Sequence, residues 1–229
     1  MKFIGVVFAR GKSKGLKNKN LLKYNKVTLV EHSIIQAYKT KIIKKVYISS
    51  DDKKILKVSK KQNAIVPFIR PKSLSRDKSP EILSWRHFIN YLNKNNINAD
   101  YIVSVPTTAP LRLVADIKKC INLIKKKKFD IVFTITKSSK NPYFNLLTKE
   151  KNKFKTLNSK KKYFRRQDAP KIYDLTTVCY VFKPSYVMKN NNLYSGNVGY
   201  VEIPKERAID IDDKFDYKII KLLSKNEKK

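Results

Sequence analysis

The sequence predicts an α/β fold built on a mostly parallel sheet. Short apolar runs rich in Val, Ile and Phe recur along the 229 residues, and between them lie longer segments with apolar residues at helical spacing. Strand, helix and strand repeated in this way give parallel strands covered by helices on both faces. The composition agrees, because 41% hydrophobic and 11% aromatic residues are enough for one full core. A single domain over 1–229, with one excursion from the sheet, accounts for the length better than two domains do.

Taken in order, "FIGVVF" (Phe3 to Phe8), "VYIS" (Val46 to Ser49), "AIVPF" (Ala64 to Phe68), "YIVSV" (Tyr101 to Val105) and "DIVFTIT" (Asp130 to Thr136) read as strands. The intervening helices are "LVEHSIIQAYKT", "KKILKVSKKQ", "EILSWRHFINYLNK" and "VADIKKCINLIKKK". From Lys137 to Asp174 the pattern loosens into polar clusters with scattered aromatics. Tyr143, Phe144, Phe154, Tyr163 and Phe164 need cover, and a partner subunit would supply it, so 137–174 is read as a dimerisation excursion. The chain returns with "VCYVF" (Val178 to Phe182) and "VGYVEI" (Val198 to Ile203), and ends in a helix after "DIDDKFD".

A net charge of +34 raises the question of a polyanion partner. Only eight of the 52 basic residues are arginines, whereas a groove that grips phosphates favours the bidentate guanidinium. Lysine accumulates together with Asn and Ile, residues with A/T-rich codons, so codon bias spreading lysine over a solvated surface competes with a polyanion role. The runs Lys125 to Lys128 and Lys160 to Lys162 fit the solvated reading. Cys120 and Cys179 lie far apart with no CxxC, which indicates neither a disulfide framework nor a metal site and suits a reducing cytoplasm. The opening apolar run is too short to span a membrane.

Ligands of such sheets bind at the carboxyl ends of the strands. The loop after the first strand reads "ARGKSKGLKNKN" (Ala9 to Asn20), with two glycines, an arginine and four lysines. Backbone N–H groups of a glycine-containing turn and nearby cations suit a phosphate, although the P-loop pattern GxxxxGK[ST] is absent. Near the other end, Asp210 and Asp212 in "IDIDD" alternate along an extended segment, so both carboxylates can face one hard cation such as Mg²⁺. Capping of the last helix competes for these acids.

These segments together resemble the acylneuraminate cytidylyltransferase family, the CMP-sialic acid synthetases. Ala9, Arg10, Ser13, Lys14, Gly15, Lys19 and Asn20 fall on its opening signature without a gap, and "VYISSDD", "PFIRPKSLSRD", "PTTAPLR", "RRQDAP" and "ERAIDIDDKFD" follow its later motifs in order. The resemblance covers nearly the whole chain. It implies a Rossmann-like three-layer nucleotidyltransferase fold and a cytoplasmic homodimer that joins CTP to a nonulosonic acid, a nine-carbon 2-keto acid sugar, with Mg²⁺, giving the CMP-sugar and pyrophosphate. By motif, Arg10 and Lys19 would contact the triphosphate and Asn20 the nucleotide, with Ala9, Lys14, Arg70, Asp77 and Ser79 in the CTP site. Asp210 and Asp212 become the metal ligands, while Asp213 and Asp216 are left to helix capping. Arg165 and Arg166 would grip the sugar carboxylate, and Arg10, Lys19 and Arg165 would carry catalysis. Arg112 either caps or pairs with Asp116 at i,i+4, or takes part in the chemistry.

One departure stands out. Val105 replaces the family's glutamine before the PTSPLR motif, and "DLTT" (Asp174 to Thr177) replaces its R-x-N-G stretch. Those positions belong to the sugar side of the pocket, so the nucleotide half is retained and the sugar half is altered. Two other functions compete: a nucleotide-sugar glycosyltransferase using a DxD metal site, and a basic nucleic-acid-binding protein. His32 and His87 lie within predicted helices, away from the motifs, and neither reads as a general base.

Overall fold

The computed structural model describes residues 1–158 and 163–226; the lysine run 160–162 lies outside them. The elements are, in order, β1 (Phe3–Phe8), β2 (Lys23–Tyr24), β3 (Val27–Thr28), α1 (Leu29–Lys39), β4 (Val46–Ser49), α2 (Lys53–Lys60), α3 (Glu81–Lys94), β5 (Tyr101–Ser104) and α4 (Val114–Lys127). They continue as β6 (Ile131–Lys137), β7 (Leu147–Glu150), β8 (Lys153–Thr156), β9 (Tyr173–Phe182), α5 (Pro184–Lys189), β10 (Val198–Glu202) and α6 (Lys214–Asn226). Six strands form the central sheet in the order β10-β6-β9-β5-β1-β4. The pairs β1–β4, β1–β5 and β10–β6 are parallel, and β9 runs antiparallel between β5 and β6.

Alternation along the strands builds the three layers. In β1, Phe3 and Val7 face a core shared with Val30 and Ile34 of α1, Ile55 of α2 and Ile117, Ile121 and Ile124 of α4. Ile4 and Val6 face the opposite core, with Trp85, Phe88, Ile89 and Leu92 of α3 and Val187 of α5. The helices start where their caps place them. Thr28 Oγ1 accepts from Glu31 N at 3.3 Å while Glu31 Oε2 accepts from Thr28 N at 2.9 Å, a capping box that starts α1. Asp52 Oδ1 accepts from Lys54 N at 2.7 Å and caps α2. Between β2 and β3, Asn25 and Lys26 have φ of 46° and 74°, the double positive φ of a two-residue I′ hairpin.

The sequence reading departs from the structure in three places. Ala64–Phe68 is not a strand: Ile65 alone bridges to Tyr47, and Pro67, which has no N–H to donate, stands two residues on. Helix α5 was not anticipated, being a single short turn behind Pro184. The sheet also extends into the expected excursion, since β6 ends at Lys137 and β9 already begins at Tyr173, pairing Lys137 with Tyr173 and Thr136 with Asp174. What projects is the β7–β8 hairpin and the turns around it. Leu147, Phe154 and Phe164 are strongly exposed there.

Candidate active site

The loop after β1 leaves the sheet through buried Ala9, whose N–H donates to Ser49 O at 3.0 Å. Gly11 N then donates to Asp51 Oδ1 at 2.9 Å. Asn20 closes the loop from inside: its Nδ2 donates to Arg10 O at 2.8 Å and its Oδ1 accepts from Thr107 Oγ1 at 2.5 Å. Asn20 is buried, and its amide is engaged through both Nδ2 and Oδ1, so it holds the loop in shape. Ala9 likewise keeps its methyl in the core.

Arg10 and Lys14 converge on one carboxylate. Arg10 Nη1 lies 2.8 Å from Asp77 Oδ1, and Lys14 Nζ lies 3.1 Å from Asp77 Oδ2. The Lys14 and Arg10 charges hold the Asp77 carboxyl below the usual carboxylate range. Beside them Arg70, only 5% exposed, donates from Nε to Ser75 Oγ at 3.0 Å and from Nη1 to Ser84 Oγ at 3.4 Å, with Asp51 Oδ1 3.9 Å from Nη2. Burial lowers its pKa. Arg10, Arg70, Asp77, Ser79 and Glu81 line a cleft of ≈ 320 Å³. Ser79 Oγ is buried and has no hydrogen-bond partner among the described residues, the condition a ligand's polar group would relieve.

The carboxylate pair meets this cleft through the first loop. Lys19 Nζ donates to Ile211 O at 2.5 Å and stands 3.5 Å from Asp212 Oδ1. Gly15 backs so closely on the Asp212 carbonyl oxygen that a Cβ there would overlap it. Ile211 is buried between the two acids, its N–H donating to Thr108 O at 2.8 Å. Thr177 Oγ1 donates to Asp210 Oδ1 at 3.0 Å and is itself 3.1 Å from Thr108 Oγ1. The substituted "DLTT" stretch therefore orients the first metal-ligand candidate, a link that spacing along the chain does not carry. Asp213 Oδ1 accepts from Phe215 N and Asp216 N, and Asp216 Oδ2 accepts from Asp212 N and Asp213 N, the capping roles expected of both.

Among the described residues no group of three or more His, Cys, Asp or Glu side chains could hold a metal. Asp210 and Asp212 nevertheless fit Mg²⁺, which is commonly held by one or two carboxylates with substrate phosphates and water completing its shell.

Two expectations, for Val105 and Arg112, are corrected. Val105 is fully buried among Val7, Ala9 and Val103, with its N–H donating to Val6 O at 3.0 Å, so it touches no sugar; it extends β5 into the core. Arg112 does not pair with Asp116. It is enclosed beneath the loop after β5, donating from Nη1 to Val178 O at 3.0 Å, and from Nη2 to Ser33 Oγ at 2.7 Å and to Pro106 O. Burial lowers its pKa to about 10, which leaves it charged at neutral pH. Asp116 pairs with Arg207 instead, by two bonds of 3.0 Å, and so anchors the segment leading to Asp210. Arg165 and Arg166 are exposed on the projecting excursion, where Arg165 Nε lies 2.9 Å from Asp168 Oδ2. Neither arginine joins the cleft residues within one chain.

Sequence reasoning missed Glu81. It opens α3 directly after Pro80, where an acid reads as a partner of the helix dipole. Trp85 Nε1 donates to Glu81 Oε1 at 3.1 Å. The residue is open to solvent in the cleft, yet protein surrounds its carboxyl group closely enough to raise the pKa. A second, mostly apolar cleft of ≈ 270 Å³ lies on its other side, lined by Trp85, Phe133, Leu175, Tyr180 and Tyr194. A larger hollow of ≈ 700 Å³ opens at the amino end of β5, against Met1, Asp100 and Lys183; it holds none of the motif residues.

A parallel-sheet fold whose strand ends gather arginines, a lysine loop and an aspartate pair defines a nucleotidyltransferase. The profile of the cytidylyltransferase family matches residues 4–227, and the chain belongs to that family. It is 34% identical over 219 residues to the CMP-N,N'-diacetyllegionaminic acid synthase of Campylobacter jejuni, covering 95% of this chain and 92% of that protein. It is 33% identical over 223 residues to the post-translational flagellin modification protein B of Campylobacter coli, covering 96% and 94%. In three dimensions it resembles a CMP:2-keto-3-deoxy-manno-octonic acid synthetase complexed with CTP, with a TM-score of 0.74 at 13% identity over 99% of this chain and 100% of the other. No helix among the described residues is long and apolar enough to cross a membrane.

Proposed function

We propose that the protein activates a nonulosonic acid with CTP. The anomeric hydroxyl of the sugar attacks the α-phosphorus of CTP and loses its proton to solvent, the bond from that phosphorus to the bridging oxygen of the β-phosphate breaks, and CMP-sugar and pyrophosphate leave. The carrying observation is the contact of Lys19 and Gly15 with the 210–213 segment, which sets a cationic loop beside two carboxylates at one rim. Relatives that make CMP-linked sugar acids support the choice of substrate class.

In this reading Arg10, Lys14 and Lys19 neutralise the triphosphate as charge grows on the departing pyrophosphate. Arg70 and Ser79 face the nucleotide, and Asp77 holds Arg10 and Lys14 in place for it. Asp210 and Asp212 would hold Mg²⁺, which when bound polarises the α-phosphate and offsets charge on the leaving group. Arg165 and Arg166 reach the sugar carboxylate from a second copy of the chain, through the excursion whose Leu147, Phe154 and Phe164 side chains are exposed. Because the reaction draws on CTP, the proposed compartment is the cytoplasm.

The test is pyrophosphate release from a panel of nonulosonic acids supplied with CTP and Mg²⁺. Release that requires both CTP and one of the acids is the expected result. Turnover of a finished nucleotide sugar, with no use of CTP, would favour the glycosyltransferase reading instead.

A further inference from the structure

We propose that Glu81 sets sugar specificity by accepting a hydrogen bond from an N–H of an acylamino or amidino substituent on the sugar. This rests on the reading of the site as a CMP-sugar synthetase and adds to it the class of substituent recognised.

Glu81 lines both clefts, the polar one with Arg10, Arg70 and Ser79 and the apolar one with Trp85, Tyr180 and Tyr194. A sugar joined to a nucleotide in the first cleft must extend across this seam to enter the second. Among the described residues Trp85 Nε1 is the one hydrogen-bond partner of the carboxylate, and no cation stands within ion-pair distance. A carboxylate at the edge of two clefts that accepts from one donor of its own keeps lone pairs open for a donor from the ligand.

Trp85 stacks on Phe182 with ring centroids 4.5 Å apart, Tyr180 lies 5.6 Å from Trp85, and Phe133 lies 5.7 Å from Tyr180. This wall suits a methyl or short acyl group, while the acid at its edge suits a donor. A hydroxyl offers the donor without the apolar group. An acylamino or amidino substituent carries both on adjacent atoms. The negative charge also works on orientation, since it turns the sugar's own carboxylate away from the aromatic cleft.

Pyrophosphate release from CTP measured with N-acetylneuraminic acid, and with its deaminated counterpart bearing a hydroxyl in place of the acetamido group, tests the assignment. Wild type is expected to prefer the acetamido sugar in kcat/KM. Glu81→Ala should narrow that preference by roughly tenfold or more, the worth of one hydrogen bond to a charged group, with the KM for CTP little changed. Glu81→Gln retains an accepting oxygen and the side-chain size, so it should fall between the two and carries the test if the alanine variant does not fold. Equal losses with both sugars, or an unaltered preference in both variants, would overturn the role of Glu81 alone. A wild-type protein that releases no pyrophosphate with either sugar, or with N,N'-diacetyllegionaminic acid, would overturn this inference together with the proposed function.

Discussion

Lys19 and Asp212, 193 residues apart in the chain, face each other with Nζ 3.5 Å from Oδ1. The same Nζ donates to the Ile211 carbonyl at 2.5 Å. One side chain thus fixes the first loop to the carboxylate segment, and its removal should act on both. Lys19→Ala is expected to lose a partly buried, charge-assisted bond, costing about 1 to 3 kcal/mol of stability, and to raise the KM for CTP at least tenfold. Urea unfolding and initial rates check the two parts. A variant with normal kinetics would place Lys19 outside the triphosphate site.

Gly15 owes its place to close approach, because a Cβ would overlap the Asp212 carbonyl oxygen. Gly15→Ala should therefore push the carboxylate segment outward. The expected result is a rise in the Mg²⁺ concentration needed for half-maximal rate, seen in a metal titration with CTP held saturating. An unchanged titration would mean that the loop yields without moving Asp212.

Much of this was legible in the sequence because it is local. Helices α3 and α4 begin and end where apolar periodicity places them, and β1 and β4 match their apolar runs. The family motif left Asp213 and Asp216 to the last helix, and both do cap it. Long-range pairing was not legible. Asp116 binds Arg207 at a separation of 91 residues, and nothing near Arg112 in the chain says that it is enclosed under its own loop. Val105 shows the same limit: its motif position marks it as pocket-facing, but the alternation of β5 turns it inward. Glu81 and Trp85 look like ordinary residues of a first helical turn until the fold sets two clefts on either side of them.

His32 gives the protein a pH dependence that is independent of catalysis. Its ring lies against Tyr24 with centroids 4.8 Å apart and its Nε2 is 3.0 Å from Pro110 O. Burial, then the Arg112 charge, lowers its pKa to about 4. Below its ordinary value near 6.5 the unfolded chain binds a proton that the folded one refuses. Stability should therefore fall as pH drops from about 6.5 and level off near 4, by up to about 3 kcal/mol from this residue. Urea unfolding at pH 7 and pH 5 should show a smaller difference in His32→Gln than in wild type. Equal differences would assign the acid sensitivity elsewhere.

Arg165 is expected to work across a dimer. Arg165→Ala and Asp210→Asn should each be inactive alone, while mixtures refolded together should regain up to about a quarter of wild-type activity, because half the dimers then carry one intact site of two. A fully active protein of monomer mass at assay concentration would end this account of the excursion.

In the proposed reaction the cationic loop and the aspartate pair transfer the CMP group from CTP to a sugar acid. Phosphorus NMR of wild-type protein with CTP, Mg²⁺ and a nonulosonic acid tests it most directly. The α-phosphorus signal should become that of a CMP-sugar diester as pyrophosphate appears in equal amount, and Asp210→Asn and Asp212→Asn should show neither change while remaining folded. Formation of CDP with a phosphorylated sugar, or undiminished conversion by both aspartate variants, would contradict it.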